Sequence, residues 1–222
     1  MSFIPFQGAP AAPRSHTMPS AAYLQSLPFI LRWEGGYVNH PADPGGATNK
    51  GVTQKVYDAW RARQGLAARD VRQLADAEMQ AIYEAGYWLP PRCDVLPTAL
   101  DQVQFDTAVN MGVGRSVRFL QQAVGAGVDG DFGPGTLGRV QRADLGTALA
   151  AYCDIRESYY RTLVARNAKL AVFQKGWMNR LNALRKQIGL PGFEADVPLD
   201  FGDAGYVAKV PDFGEDPDYD LP

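Results

Sequence analysis

Residues 33–53 read WEGGYVNHPADPGGATNKGVT, and this stretch interrupts a chain whose pattern is otherwise helical. Before it, Ser20–Trp33 carries apolar side chains at helical spacing and starts with a serine, a residue type favoured at helix N-caps. The pair Gly35-Gly36 predicts the end of that helix. The glycines, prolines and asparagines that follow predict a loop or a small irregular hairpin folded back over the helix end. Glu34 is therefore expected at the last helical turn, beside the loop.

Helical patterns continue on the C-terminal side of this stretch. They predict a mainly α fold with one small irregular hairpin or loop insertion. Residues 1–19 are rich in Pro and Ala and are expected to form a flexible arm, and residues 191–222, with five prolines and many acids, an extended acidic tail. The clearest predicted helices are Thr53–Arg63, Asp70–Tyr87, Leu96–Met111, Val113–Val124, Thr136–Ala165 and Leu170–Gly189.

The composition is that of a packed protein. Of 222 residues, 46% are hydrophobic and 21% charged, which excludes wholesale disorder. No apolar run approaches the roughly 18–20 residues of a membrane span, so no stable membrane insertion is expected. The net charge of −2 is uneven, because residues 191–222 hold nine acids against one lysine. The remaining residues carry +6, which tolerates a polyanionic partner without marking a nucleic-acid-binding protein.

Metal and redox chemistry are not indicated. The two cysteines, Cys93 and Cys153, form no CxxC motif, which excludes a zinc ribbon and a thioredoxin-type pair. The Asp129-Gly-Asp131 segment carries Gly133 where an EF-hand loop needs its third oxygen ligand. We therefore expect no metal and no cofactor. The first 20 residues lack a basic start followed by an apolar core, so a secretory signal is not predicted either.

Two carboxylates in the opening stretch could divide acid and base work. Glu34 follows Trp33 and precedes Tyr37, and partial desolvation there favours a neutral acid. Asp43 lies in a loop with many backbone N–H groups, which favours its charged form. Such a pair is what a glycosidase needs at the scissile bond. The alternative is plain, because Asp-Pro-Gly-Gly also makes a good turn without any chemistry.

The same stretch resembles the signature of glycoside hydrolase family 108, which reads roughly EGGYxNxPxDPGGxTxxGIT. It departs from that pattern at His40 and Val52. FDTAVNMGVGRSVRFLQQAVG (residues 105–125) resembles the second block of the family, and residues 128–184 resemble its companion peptidoglycan-binding module. The resemblance implies a lysozyme-like muramidase domain over residues 20–112 and a helical peptidoglycan-binding module over residues 113–190, packed on the first.

The resemblance also implies site residues. Glu34 is expected to be the general acid, and Asp43 and Thr48 to hold or activate a water. Tyr37, Asn39 and Thr53 are expected to bind substrate, Tyr37 by stacking on a sugar.

Two further pairs of residues each have more than one interpretation. Asp106 and Asn110 share a helix face at i, i+4 spacing and are also taken as substrate-binding residues. Asn110 could bind an N-acetyl group or orient the Glu34 carboxyl, and the alternative is that both residues satisfy the nearby Gly112–Gly114 loop. Trp88 and Trp177 are candidate sugar-stacking rings, although aromatic residues on helices more often belong to the core.

The function that the resemblance implies is hydrolysis of peptidoglycan between N-acetylmuramic acid and N-acetylglucosamine, as in lysozymes and phage endolysins. Two alternatives are a lytic transglycosylase and a non-catalytic cell-wall-binding or secretion component. The expected partners are peptidoglycan glycan strands, with neither nucleic acid nor stable insertion in a membrane. We expect synthesis in the cytoplasm without a signal peptide and action on the cell wall in the periplasm, after release by a holin or a secretion system.

Overall fold

The structure, a computed structural model, describes residues 19–39 and 46–193. Its helices are α1 Ala21–Trp33, α2 Gln54–Arg63, α3 Asp76–Tyr83, α4 Leu100–Met111, α5 Val113–Ala123, α6 Pro134–Val140, α7 Leu145–Arg166 and α8 Ala171–Gln187. Shorter turns of 3₁₀ or π helix are Val71–Gln73, Glu84–Trp88, Cys93–Val95 and Ala168–Leu170. The strands are β1 Thr48–Asn49 and β2 Val52–Thr53. The mainly α, lysozyme-like fold with a small hairpin and a helical C-terminal module is confirmed.

Helix α1 begins and ends where its sequence predicts. The Ser20 hydroxyl accepts a hydrogen bond from the Tyr23 N–H at 3.2 Å, which caps the first turn. At the other end Gly35 has a φ of +52°, a left-handed conformation that suits glycine. Between them Glu34 occupies the C-cap position, and its N–H still donates to the Leu31 carbonyl. The chain therefore leaves the helix immediately after the glutamate.

The loop that follows returns to the helix end as a minimal hairpin. Thr48 pairs with Thr53 and Asn49 with Val52 in antiparallel register. Thr48 also exchanges two backbone hydrogen bonds of 2.8 Å with Val38, which ties β1 to the segment just after α1. The turn residues between the strands, Lys50 and Gly51, both have positive φ, as a tight two-residue hairpin turn requires. This local pairing brings the turn close to Glu34.

Helix α4 runs through the middle of the core. Of its residues, all except Gln102 are buried, and it packs against α1, α5 and α7. Phe105 meets the rings of Tyr23 and Trp88 at 5.6 and 5.4 Å. Because α4 has no solvent face, its polar side chains must find partners inside the protein. The proposed boundary between the two modules falls directly after α4, and the division into domains stays a prediction.

Two predicted helices are interrupted in the structure. The predicted helix Asp70–Tyr87 divides into the 3₁₀ turn Val71–Gln73 and α3, because the backbone of Leu74 and Ala75 between them is not helical. The pattern over Thr136–Ala165 predicts a single long helix, but α6 ends at Val140 and α7 starts at Leu145. The Asp144 carboxylate accepts hydrogen bonds from the Thr147 N–H at 2.9 Å and hydroxyl at 2.8 Å. An aspartate in that arrangement is an N-cap, and it starts a new helix instead of continuing the old one.

Candidate active site

The side chain of Glu34 is held in the interior although it follows a helix end. The residue is 1% exposed. Its Oε1 accepts a hydrogen bond of 2.9 Å from Arg180 Nη1, contributed by α8. Its Oε2 has no hydrogen-bond partner among the described residues. A buried carboxyl with one oxygen anchored and the other unpartnered is unusual, because buried polar atoms are normally satisfied.

Glu34 is the first member of a chain of alternating charges. Arg180 Nε donates to Asp106 Oδ1 at 2.8 Å, and Arg156 Nη1 donates to Asp106 Oδ2 at 2.6 Å. All four side chains are fully buried. Carboxyl groups and guanidiniums alternate along this chain, so each buried arginine donates to an acceptor, which makes burial of the group tolerable. Burial lowers the pKa of Arg180, but Asp106 and Glu34 outweigh that effect and the pKa lies above its usual value.

The far end of this charged chain is fixed by a polar network on α7. Arg156 Nε donates to the Tyr160 hydroxyl at 2.9 Å, and that hydroxyl donates to Asn110 Oδ1 at 2.7 Å. The Tyr160 ring stacks on Trp177 with centroids 5.3 Å apart. Burial raises the pKa of Tyr160, so the phenol remains a neutral donor. Asn110 Nδ2 and Arg180 Nη2 lack a partner in the part of the chain that the structure describes.

The hairpin turn closes on the unpartnered oxygen of Glu34. A Cβ at Gly51 would lie 2.6 Å from Glu34 Oε2 and would overlap the Tyr83 hydroxyl. That hydroxyl donates to the Lys50 carbonyl at 2.9 Å and so holds the turn in place. Burial, followed by the charge of Glu34, raises the pKa of Tyr83 well above its usual value. Glycine at this position is needed for space as well as for its φ of +74°.

Comparison with known proteins assigns the chain to a family. Residues 27–112 match the family model described as Glycosyl hydrolase 108, and residues 115–182 match one described as Predicted Peptidoglycan domain. The solved structure of Brucella abortus SagA is 32% identical with a TM-score of 0.63, over 75% of this chain and 92% of that chain. No curated protein matches.

The chain belongs to the glycosyl hydrolase 108 family. The resemblance seen in the sequence is thereby confirmed. The chain is a glycoside hydrolase that acts on peptidoglycan, and it carries a peptidoglycan domain after the hydrolase region. The contact between Glu34 and Arg180 joins these two matched regions, since Glu34 lies in the first and Arg180 in the second.

The other predicted residues of this glycosyl hydrolase are distributed around the hairpin. Thr48 is half-buried on β1, and the Thr53 hydroxyl caps α2 by accepting from the Val56 N–H at 3.3 Å. Asn39 is exposed. Asp43 lies outside the described residues. Within residues 19–39 and 46–193, the side chains of Asn39, Thr48 and Thr53 form no hydrogen bond with Glu34. The roles predicted for these residues and for Asp43 stay predictions.

Tyr37, the predicted stacking residue, already has a partner on one face. The guanidinium of Arg72 lies 4.4 Å from the ring centroid, and its Nη2 donates to the Tyr37 hydroxyl at 3.1 Å. The hydrogen bond to Tyr37 is the main cause that raises the pKa of Arg72. The ring is half-buried, so a sugar could stack only on the face that Arg72 leaves uncovered.

Asp106 and Asn110 have interior roles in this family 108 chain. Both are buried on α4, and both oxygens of Asp106 accept from arginines, so the geometry directs them toward the charged cluster instead of a glycan. Trp88 and Trp177 are also fully buried, as expected for rings that belong to the hydrophobic core and do not stack on a sugar. Sequence reasoning missed Arg180, Arg156 and Tyr83, because no local motif marks a partner that arrives from a distant helix.

Two negative findings apply to the described residues. Within residues 19–39 and 46–193, no group of three or more His, Cys, Asp or Glu side chains is placed to hold a metal ion. No helix in these same ranges has the length and apolar character needed to cross a membrane.

Proposed function

We propose that this glycosyl hydrolase cleaves the β-1,4 bond between N-acetylmuramic acid and N-acetylglucosamine, with Glu34 as the general acid. The observation that carries the proposal is the state of the Glu34 carboxyl, which is buried, anchored through Oε1 and, in the part of the chain that the structure describes, unpartnered at Oε2. A general acid needs a fixed orientation and one oxygen available to carry and release a proton. The family and the peptidoglycan domain supply the substrate class.

The hydrogen-bond pattern indicates which oxygen carries the proton. A guanidinium can only donate hydrogen bonds, so the oxygen facing Arg180 must accept and cannot present a proton to it. The proton of the neutral acid therefore belongs on Oε2, the oxygen next to the hairpin turn. From there it passes to the bridging glycosidic oxygen as the C–O bond breaks.

The remaining steps follow glycosidase chemistry. As the leaving oxygen takes the proton, positive charge develops at the anomeric carbon of the muramic acid residue, and water adds there to complete the hydrolysis. We assign the positioning of that water to Asp43 or Thr48. Thr48 is suited to it by its place on β1, which the two hydrogen bonds to Val38 attach to the end of α1.

The test is Glu34→Gln, assayed by clearing of purified peptidoglycan and by mass spectrometry of the products. Glutamine keeps the shape but cannot donate the proton as an acid, so we expect a loss of about 10²–10⁴-fold in rate. Glu157→Gln, which removes a carboxylate paired with Arg161 on α7, serves as the matched control and should retain wild-type activity. Clearing by Glu34→Gln at the wild-type rate would contradict the proposal, and 1,6-anhydro products would indicate a lytic transglycosylase instead.

The site of action belongs to the same proposal. Peptidoglycan lies outside the cytoplasmic membrane, so we place the protein's work in the cell wall, after passage through a holin or a secretion apparatus. Expression of this protein in bacteria, with and without a holin, tests whether it depends on a holin to reach the cell wall. We expect lysis only when both are present, and lysis by this chain alone would contradict dependence on a holin.

A further inference from the structure

The arginine that anchors Glu34 comes from the other matched region of the chain. Arg180 lies on α8, within the stretch that matches the peptidoglycan domain, 146 residues after Glu34. We propose that Arg180 is a positioning residue for the general acid, so that the peptidoglycan domain completes the active site in addition to any contact with the cell wall. The inference rests on the proposed role of Glu34.

The geometry of the guanidinium supports a positioning role. A single planar group donates from Nη1 to Glu34 and from Nε to Asp106, at 2.9 and 2.8 Å. Because the donors of arginine are rigidly spaced, fixing one of them on Asp106 also fixes the direction of the other. The orientation of the Glu34 carboxyl is therefore set by Asp106 through Arg180.

Asp106 is itself held from the opposite side. Its second oxygen accepts from Arg156 Nη1 at 2.6 Å, and Arg156 is fixed by the Tyr160 hydroxyl. The support for Glu34 thus comes from α4, α7 and α8, all fully buried at these positions. A site whose supporting side chains are packed and hydrogen-bonded in this way is preorganised, and it need not reorder when substrate binds.

The anchor also selects the reactive oxygen. With Oε1 engaged by Arg180, the remaining oxygen is the one beside Gly51 and Tyr83. Loss of the guanidinium would let the carboxyl rotate and place its proton on either oxygen. A displacement of about 1 Å at a reacting group can lower the rate by about 10²-fold, so the effect should appear in kcat.

The experiment compares three variants of the full chain on soluble peptidoglycan fragments. Arg180→Gln removes the charge and the fork, Arg180→Lys keeps only the charge, and Arg185→Gln is the matched control. Arg185 lies on the same helix and is nearly as buried, but it pairs with Asp154 and the Pro191 carbonyl. Circular dichroism and thermal unfolding establish that each variant is folded.

We expect Arg180→Gln to lose about 10²-fold in kcat, with KM changed by less than about threefold. Arg180→Lys should show an intermediate loss in kcat, since it keeps the charge without the planar fork. Arg185→Gln should match wild type in both measurements.

The failure of this inference is distinguishable from failure of the proposed function. If Glu34→Gln is inactive while folded Arg180→Gln matches Arg185→Gln in kcat, the general acid stands and the positioning role is overturned. A rise in KM alone would also overturn it, because that would indicate glycan binding. If Arg180→Gln does not fold, Arg180→Lys serves as the test. A wild-type kcat in Arg180→Lys would overturn the positioning role of the guanidinium. If Glu34→Gln remains active, both proposals fall together.

Discussion

Glu34 and Glu78 each accept hydrogen bonds from arginines on other elements of the fold, and the two sites differ in how completely the carboxylate is satisfied. Glu78 lies on α3, and its Oε1 accepts from Arg61 Nη1 at 2.6 Å. Its Oε2 accepts from Arg69, from the Tyr57 hydroxyl at 2.6 Å and from the Ala75 N–H at 3.2 Å. Glu34 is more deeply buried, yet within residues 19–39 and 46–193 only one of its oxygens has a hydrogen-bond partner.

This difference distinguishes a glutamate that connects structural elements from one whose second oxygen suits a chemical role. Glu78 uses both oxygens to connect α3 to α2 and to Arg69 in the loop after α2, as a structural ion pair does. Among the described residues Glu34 has a partner for only one oxygen, and a buried exception of this kind calls for a functional reason. The contrast teaches that the number of satisfied oxygens, more than the presence of an arginine, distinguishes the two roles.

The largest expected effect comes from replacing each of the two glutamates, separately, with glutamine. Glu34→Gln should abolish most activity, about 10²–10⁴-fold, while the protein stays folded. Glu78→Gln should lower the free energy of unfolding by about 1–2 kcal/mol, since its site is partly exposed, and leave kcat almost unchanged. Urea denaturation and kcat measured on both variants check this. Equal activity losses would contradict the division of roles.

The next effect concerns the turn that approaches only one of the two glutamates. Gly51→Ala would place a methyl group 2.6 Å from Glu34 Oε2 at a φ of +74°. Because the turn must move away, we expect at least about a tenfold loss in kcat together with a loss of stability on the order of 1 kcal/mol. Gly65→Ala is the control, since its φ is +69° and nothing lies within 4 Å of the added Cβ. If the two variants were equally active, contact with Glu34 would not be the cause.

The pH dependence of stability should single out Glu78. Burial raises the pKa of this carboxyl, but hydrogen bonds from Tyr57 and the Ala75 N–H and the charges of Arg69 and Arg61 outweigh it, so the pKa is lowered. A group with a lowered folded-state pKa contributes stability above its unfolded pKa and loses it as pH falls through the folded value. The stability difference between wild type and Glu78→Gln should therefore shrink from pH 7 to pH 3 in urea titrations. A constant difference would contradict this origin.

The smallest effect comes from two tyrosines that donate at the two sites. Tyr57→Phe removes a donor to Glu78 and should lower stability by about 1 kcal/mol without changing kcat. Tyr83→Phe removes the donor that holds the Lys50 carbonyl, and we expect a severalfold drop in kcat as the turn loosens. Matched thermal unfolding and kinetic assays on both variants check the contrast. A drop in kcat for Tyr57→Phe would contradict the contrast between the two tyrosines.

Much of the site could be predicted because its signals are local. The serine cap, the double glycine and the turn formers of residues 33–53 each act on their immediate neighbours, and they predict where α1 ends and where Glu34 lies. The break before α7 depends on a signal of the same kind, the Asp144 cap, which the helical pattern around it concealed. Helix caps and turn formers can be identified in a sequence because they act on neighbouring residues, and the Asp144 cap is a signal of this kind.

The sequence by itself determined the helical class, the family and the position of Glu34 at the end of α1, because short-range preferences and a motif determine these. Only the tertiary structure decided that Arg180 contacts Glu34 and that Asp106 faces inward. Two arginines on one helix, Arg180 and Arg185, are alike in sequence terms, yet one reaches the acid and the other pairs with Asp154. The physical reason is that a side chain's partner depends on which helices pack around it, and the direction of α8 against α4 is set by the core as a whole.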